Sequence, residues 1–410
     1  MKILWRCALV FLGLGLILAV MLFLAFKADS GEWSHGLRIG QWQYRLALAP
    51  SLRLLTRPEI IHALDGQEFD SRWGRLQWQE VAPGQLRLQC RPCRVHMPAL
   101  SEQPLDFPVV TLQLVRKNDV ITGRLHFSSR VAVNFTAPFD ENGMQLHASL
   151  PATEIAAVYA LFGPAIPELS HARIAGQVKL LMKLELPAYS ITLQPEVQGF
   201  RVSGLGTEVL RSRLPQVQCP LATAVVSAPS GRWLPRAVIA AEDQRFYQHP
   251  GYDQRELIAS LQRNQAGAAI ARGGSTLDQQ LAKLLFTGGE RTHVRKLREL
   301  LYAVEMEATL GKPRILQIYL AVAPWGKGVC GAENAALAYY GKPAVALNRA
   351  EAAWLAAMLH TPDREFRRWK STGHPDVKRG SWVVNAMGGG SKARQQAVLM
   401  LASLAPPSSL

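Results

Sequence analysis

The chain is short of acidic residues. It has 31 Asp and Glu against 46 Lys and Arg, a formal net charge of +15, so its partners are expected to be anionic: nucleic acid, lipid headgroups or a pyrophosphate. No zinc-finger, basic-zipper or RNA-recognition signature accompanies this charge, which argues against nucleic acid. For most individual Lys and Arg side chains, a solvated surface position is the better expectation.

Cysteines are also few. Only five occur, so at least one stays unpaired. Cys90 and Cys93 have thioredoxin-like spacing, but they lie between strand-like stretches and open no helix, which favours a local disulfide over redox catalysis. A zinc site would need two more ligands, and no second pair at this spacing exists. Cys219 and Cys330 are a further candidate pair that the sequence leaves open.

Long apolar runs are limited to one. Residues 7–26 carry no charge, and as a helix they would span about 30 Å, the thickness of a bilayer core. The run is longer than a signal-peptide core and lacks a small-residue cleavage site, so an uncleaved membrane anchor is expected. Lys2 and Arg6 precede it, which favours a cytoplasmic N terminus with the bulk of the chain outside the cytoplasm.

The rest of the chain divides by its hydrophobic periodicity. Residues 38–186 alternate apolar and polar side chains between turn signals, which predicts an antiparallel β-rich domain with one helix over residues 153–162. After a linker-like stretch at residues 227–231, apolar positions recur every three or four residues and predict helices. We expect an α+β multidomain protein, with a transmembrane anchor (1–29), a β-rich domain of unknown role (30–226), a mainly α domain (227–370) and a tail with one short helix and a mobile end (371–410).

Three polar blocks in the α region have the composition of an active site. The blocks cover residues 242–251, 273–283 and 291–299. In the first block, helical spacing would place Glu242, Phe246 and His249 on one face. One acid would then be backed by an aromatic side chain, and a partly apolar setting suits a carboxylate that acts as a general base.

The second block has features of an anion-binding helix start. Ser275, Gln279 and Lys283 are four residues apart and would line one helix face. The Gly-Gly pair at residues 273–274 would let backbone N–H groups approach an anion. By itself such a turn is a weak signal.

The third block combines a carboxylate with cations. Glu299 follows Arg295 by four residues and Lys296 by three, so on a helix it would lie beside both and stay ionised. This setting differs from that of Glu242 and suggests that the two carboxylates have different roles. A simple helix-stabilising ion pair is the alternative for Arg295 and Glu299.

Together these blocks resemble the signature motifs of family 51 glycosyltransferases, the peptidoglycan glycosyltransferases that polymerise lipid II on the outer face of the bacterial inner membrane. The resemblance runs from about residue 232 to about residue 369 and includes further blocks at residues 312–320, 331–342 and 350–356. It implies a lysozyme-like helical fold. Leu284 and Ala321 stand where the family commonly has Asn, but neither replaces a carboxylate.

The resemblance also implies residue roles. Glu242 is the base that takes the proton of the acceptor 4-hydroxyl, and Glu299 is the second essential carboxylate, which orients the donor or a metal ion. Lys283 and Arg291 contact the pyrophosphate of the leaving group. The other expected substrate-binding residues are Asp243, Phe246, His249, Ser275, Thr276, Gln279, Arg295 and Lys296. Asp243 and His249 are expected to organise the first block. No organic cofactor is expected, and a divalent Mg or Mn ion is compatible with the leaving group.

Two alternatives stay open. A lysozyme-like hydrolase or lytic transglycosylase would also use a Glu on a helical fold, although its glycan substrate has no charge to match the cations. A non-catalytic lipid II-binding scaffold is favoured by Leu284 and Ala321 and opposed by the presence of both carboxylates. The expected partners are lipid II, the growing glycan strand, the inner membrane and an envelope protein bound by the β-rich domain. Only about 40 residues follow Trp369, so no transpeptidase domain is expected.

Overall fold

The computed structural model describes residues 27–28, 32–39, 42–95, 104–215, 230–256, 258–259, 274–289, 292–373 and 376–404. These residues form two compact units. The first contains the described residues up to Phe162 and Gly176–Gly199, and the second contains Gly163–Ala175 and the described residues from Phe200 onward. Within the described ranges, no helix is both long and apolar enough to cross a membrane. The predicted anchor at residues 7–26 lies outside them.

The first unit is built on antiparallel strands. A nine-stranded sheet has the order β13-β12-β11-β10-β9-β8-β5-β4-β3, and β1–β2 and β6–β7 form two-stranded ribbons. The strands are β1 (Ser34–Ile39), β2 (Trp42–Ala47), β3 (Glu68–Ser71), β4 (Gly74–Ala82), β5 (Gln85–Arg91), β6 (Cys93–Val95), β7 (Leu105–Phe107), β8 (Val110–Lys117), β9 (Val120–His126), β10 (Ala132–Pro138), β11 (Met144–Glu154), β12 (Arg173–Leu186) and β13 (Ser190–Ser203). The predicted β-rich region is therefore present.

The period-two alternation of the sequence separates the two faces of this sheet. Arg87, Gln113 and Arg124 are cross-strand neighbours and form part of one face. The opposite face carries apolar side chains. Helices α1 (Leu48–Leu55) and α2 (Pro58–Ala63) contribute to this unit's core, which includes buried Ala49 and Ile61.

Two features of the first unit bear on the sequence predictions. Cys90 and Cys93 form a disulfide, as expected. The predicted helix over residues 153–162 is present but shorter, α3 (Ile155–Ala160), because β11 continues to Glu154.

The second unit is mainly helical. Its helices are α4 (Trp233–Glu242), α5 (Leu277–Ala282), α6 (His293–Val322), α7 (Ala332–Tyr340), α8 (Arg349–Met358), α9 (Pro362–Thr372), α10 (Val377–Ala386) and α11 (Ser391–Ala402). α6 is interrupted at Gly311, whose φ of 71° is not helical. Likeness to the lysozyme fold stays a prediction.

α8 forms the centre of the second unit. Every residue from Ala350 to Met358 is buried, and all of them except Glu351 are apolar, a pattern that is stable only inside a core. The ring centroid of Trp354 on α8 lies 3.8 Å from that of Trp369 on α9. α4 and α10 both pack against α8, so this helix fixes the positions of both.

The tail differs from its prediction. It contains two helices, α10 and α11, instead of one, and Val383, Val384, Ala397 and Leu401 on them are buried in the core of the second unit. Burial of apolar side chains at about 25 cal/mol per Å² explains why this segment folds onto α8. The last residues, 405–410, lie outside the described ranges.

Candidate active site

Glu242 lies in the last turn of α4. The next residue, Asp243, has φ −157°, which is outside the helical region, and after it comes only the short 3-10 turn Phe246–Gln248. The predicted helix through the first block is therefore wrong. Helical spacing does not place Phe246 and His249 on the face of Glu242, because the chain leaves the helix at Asp243.

The Asp243 side chain has partners on both sides of the helix end. Its carboxylate accepts a hydrogen bond from the Leu277 N–H at 3.0 Å and lies 3.0 and 3.1 Å from Nε2 of His249. Both side chains are almost fully buried. Asp243 thus joins the first polar block to the second, which agrees with the organising role that we predict for Asp243 and His249.

Gly251 ends the first block against the backbone of α6. Its φ is 79°, and a Cβ at this position would lie 2.6 Å from the carbonyl oxygen of Ala303. Any other residue would be strained by its backbone conformation and would collide with α6. The glycine therefore allows the first block to pack directly on the helix that carries Glu299.

A buried lysine occupies the space behind the first block. Nζ of Lys312 lies 3.0 and 3.2 Å from the two carboxylate oxygens of Asp278, 2.8 Å from Glu307 and 3.4 Å from Nδ1 of His249. It also lies 4.6 Å from the centroid of the Phe246 ring. Phe246 therefore forms a cation–π contact with Lys312, and it is not a lining residue of the cleft.

Asp243, His249 and Asp278 could hold a metal ion, since their ligand atoms all lie within 4.8 Å of one another. The chemistry of this set fits a divalent cation poorly. Lys312 already supplies a positive charge between Asp278 and His249. Burial also raises the pKa of Asp278, against the opposing effect of Lys312, and Lys312 already contacts both oxygens of this carboxyl. We assign the cluster to holding the two blocks together.

The second block begins with a capped helix. Oγ1 of Thr276 accepts a hydrogen bond from the Gln279 N–H at 3.2 Å, and the Gln279 side chain accepts one from the Thr276 N–H at 3.1 Å. This capping box starts α5 at Leu277. Ser275 therefore precedes the helix, and Lys283 begins a π-helical turn after it. The predicted stripe of Ser275, Gln279 and Lys283 on one α-helical face is wrong, because the capping box at Thr276 starts the helix at Leu277, two residues after Ser275.

Gln280, for which the sequence predicted no role, contacts Glu242. Its Nε2 donates to Oε2 of Glu242 at 3.0 Å, and its Oε1 accepts from the Tyr319 hydroxyl at 2.9 Å. Burial, followed by the nearby Glu242 charge, raises the pKa of Tyr319 well above its ordinary value, so the hydroxyl stays a donor. Tyr319 thereby fixes the amide orientation that directs an N–H toward Glu242.

Glu299 lies on α6 with no exposed surface. Its carboxylate accepts hydrogen bonds from Arg295 and, at 2.6 Å, from Nζ of Lys296. Nζ of Lys296 also donates to Oγ of Ser275 at 2.8 Å. The third block is thus helical from His293 to Glu299 with the predicted spacing. Glu299 holds two cations and does not face the solvent.

These groups meet at a cleft of about 850 Å³. Its lining includes the carboxylate of Glu242 and five cationic side chains, Lys283, Arg295, Lys296, Lys378 and Arg379. Asp376 also lines the cleft, but the five cations outnumber the two acids. Such a cleft can bind a strongly anionic ligand, and Glu242 can accept a proton beside it.

The tail supplies part of this lining, which sequence reasoning missed. Lys378, Arg379 and Trp382 project from α10 into the cleft. One guanidinium nitrogen of Arg379 lies 3.6 Å from Oε1 of Glu242. No motif marks these residues, and only the packing of α10 on α4 and α8 brings them to the site.

The remaining predicted residues have the following positions. Leu284 lines the cleft, whereas Ala321 is half-buried against the core. Arg291 and Gly273 lie outside the described residues, as does Cys219. Cys330 is disulfide-bonded.

The residues that line the cleft lie within a region that is similar to known proteins. Residues 222–388 match the family described as Transglycosylase. Proteins named biosynthetic peptidoglycan transglycosylase are similar to the chain over part of its length: that of Thiobacillus denitrificans is 46% identical over 129 residues, 32% of this chain and 56% of the relative. That of Nitrosomonas eutropha is 48% identical over 129 residues, 32% of this chain and 53% of the relative. That of Ectopseudomonas mendocina is 44% identical over 157 residues, 38% of this chain and 62% of the relative. The chain thus spans somewhat more than half the length of these relatives.

Proposed function

Because the chain carries a domain of the transglycosylase family, family 51 of the glycosyltransferases, in residues 222–388, we propose that it is a peptidoglycan glycosyltransferase that polymerises lipid II. The observation that carries this proposal is the pairing of an acid that lines the cleft, Glu242, with a buried acid, Glu299, that holds two cations. Glu242 can take up a proton. Glu299 holds two cations whose positive charge would stabilise a leaving group.

The proposed reaction is attack of the acceptor 4-hydroxyl on the anomeric carbon of the donor. A new bond forms between the anomeric carbon and this oxygen, the bond to the pyrophosphate oxygen breaks, and the hydroxyl proton passes to Glu242. Nε2 of Gln280, 3.0 Å from Oε2, and Arg379, 3.6 Å from Oε1, contact the Glu242 carboxylate that accepts this proton.

The departing undecaprenyl pyrophosphate carries concentrated negative charge. Lys283, Arg295 and Lys296 line the cleft, and charge-assisted hydrogen bonds from them would stabilise that charge as it develops. These cations also favour a lipid pyrophosphate over the glycan substrate of a hydrolase, which has no matching charge.

We further propose that the protein works at the bacterial inner membrane with this domain in the periplasm. The disulfide of Cys90 and Cys93 and the disulfide-bonded Cys330 are consistent with an oxidising compartment. The apolar run at residues 7–26 would keep the enzyme next to its polyprenyl-linked substrates. Binding of an envelope protein by the β-rich region stays a prediction.

The test is incubation of the purified full chain with lipid II in detergent. Glycan strands should form, with one undecaprenyl pyrophosphate released for each disaccharide added. Strand cleavage without synthesis would support a hydrolase, and lipid II binding without any product, with or without Mg or Mn, would support a scaffold. A parallel sample with a metal chelator measures the metal requirement directly.

Lys283→Ala should slow turnover by about tenfold or more, because the variant lacks one charge-assisted contact to the leaving group. Affinity for a sugar analogue without phosphate should change much less. Turnover and analogue binding are measured with Lys392→Ala as the matched control, since Lys392 is exposed on α11. Equal loss of affinity for the neutral analogue would mean that Lys283 has a structural role.

A further inference from the structure

One face of α6 is held by residues that precede the matched domain. Arg298, Tyr302, Glu305 and Thr309 are spaced by four, three and four residues, so they lie on one side of the helix. Their partners belong to two segments of the second unit, residues 163–175 and 204–211, which flank the β12–β13 hairpin in the sequence. We call these two segments the α6 clamp.

The first clamp segment makes an ion pair beside Glu299. The carboxylate of Glu168 accepts three hydrogen bonds of 2.7–2.9 Å from Nε and Nη2 of Arg298. The Glu168 side chain is only 4% exposed. Burial opposes its charge, but Arg298 and further hydrogen bonds keep the pKa of Glu168 below its ordinary value. A bidentate pair of this kind fixes both the position and the rotation of the residue it holds.

The second clamp segment binds a buried acid two turns further along. Both carboxylate oxygens of Glu305 accept from the Leu205 N–H, at 3.0 and 3.1 Å, and the N–H groups of Gly204 and Gly206 also contribute. Both glycines have positive φ, which turns successive N–H groups toward one point. Glu305 is 1% exposed.

The last contacts of the α6 clamp lie at Thr309, one turn further along the helix. The hydroxyls of Thr207 and Thr309 lie 2.9 Å apart, and Nε of Arg211 donates to the Thr309 carbonyl at 2.7 Å. Three successive points on α6 are therefore tied to the two segments. All of these contacts lie outside the cleft lining.

We propose that Glu168 is a positioning residue for the transfer reaction: through Arg298 it fixes the rotation of α6 and thereby the placement of Glu299, Arg295 and Lys296. Arg298 and Glu299 are adjacent on the helix, so a small rotation released at Arg298 moves the carboxylate that holds both cations. Misplacement of catalytic groups by about 1 Å can cost about a hundredfold in rate. This inference rests on the proposed function, and it makes the α6 clamp part of the catalytic unit although both of its segments precede residues 222–388.

The test is Glu168→Gln in the full chain, with Glu196→Gln as the matched control because Glu196 forms an exposed pair with Lys179. Glu168→Gln should lower kcat for lipid II polymerisation about tenfold at a temperature well below its Tm, with KM within about twofold. The pair Glu168→Gln and Arg298→Gln should be no slower than either single variant, because both remove the same contact. Glu168→Asp, which keeps the charge, should recover part of the rate.

Amide hydrogen exchange gives a second readout that does not need activity. Exchange at residues 296–303 should rise about tenfold in Glu168→Gln and stay unchanged in the control. If the wild-type chain makes no glycan, the proposed function fails, while the exchange result still decides whether the clamp holds α6. A lower Tm with unchanged kcat, or unchanged exchange at residues 296–303, would overturn the positioning role.

Discussion

Glu242→Gln should abolish polymerisation of lipid II, with a loss of about a hundredfold or more in kcat. The amide has the size of the carboxylate but cannot accept the hydroxyl proton, so the contribution of general-base catalysis disappears. Initial rates of glycan formation and thermal unfolding of the same preparation are the measurements. Since Glu242 lies at a helix end in an open cleft, the fold should persist.

The control for this variant is Glu59→Gln, the same chemical change at an exposed position of α2. It should retain wild-type activity. Should Glu242→Gln keep activity within a few-fold of wild type with unchanged melting, Glu242 is not the base, and another group must take the proton.

Glu299→Gln should also reduce kcat by about a hundredfold, for a different reason. Glu299 has no exposed surface, so it would act through Arg295 and Lys296, whose positions and charges set the field for the leaving pyrophosphate. Lipid II binding should survive, because Arg295 and Lys296 keep their positive charge near the cleft even when Glu299 no longer fixes their positions. Turnover and equilibrium binding of lipid II, measured on the same protein, separate the two effects.

Loss of Glu299 also leaves the buried guanidinium of Arg295 without its carboxylate, a change that can cost about 3–5 kcal/mol of stability. Lys296→Met is therefore the companion variant, since Lys296 is 43% exposed and its loss keeps the pair of Arg295 and Glu299. It should fold normally and still turn over more slowly. Full activity in Lys296→Met, together with failed folding in Glu299→Gln, would reduce Glu299 to a structural ion pair.

Local sequence spacing predicted the third block well and the first block poorly. Arg295, Lys296 and Glu299 lie on one continuous helix, where positions three and four apart must meet. The spacing of Glu242, Phe246 and His249 suggested the same, but Asp243 accepts a hydrogen bond from Leu277, a residue 34 positions away. A side chain that finds its partner in another segment ends a helix that local periodicity would continue.

The tail and the clamp were beyond prediction for a related reason. Trp382 lines the cleft, Arg379 lies beside Glu242, 137 positions away, and Glu168 pairs with Arg298, 130 positions away. Only the folded core brings these distant segments together. Such pairings depend on which surfaces the core buries, and a single sequence does not encode them in any short window.

The sequence by itself determined the family motifs, the β-rich and helical regions, the two carboxylates and the local disulfide of Cys90 and Cys93, because each depends on neighbours within a few residues. Tertiary structure alone decided that Glu242 meets Gln280 and Arg379, that Lys312 is buried beside Asp278, and that α6 is held by segments before the matched domain. The physical reason is that buried charges require partners, and the partners come from whichever segments the core brings into contact.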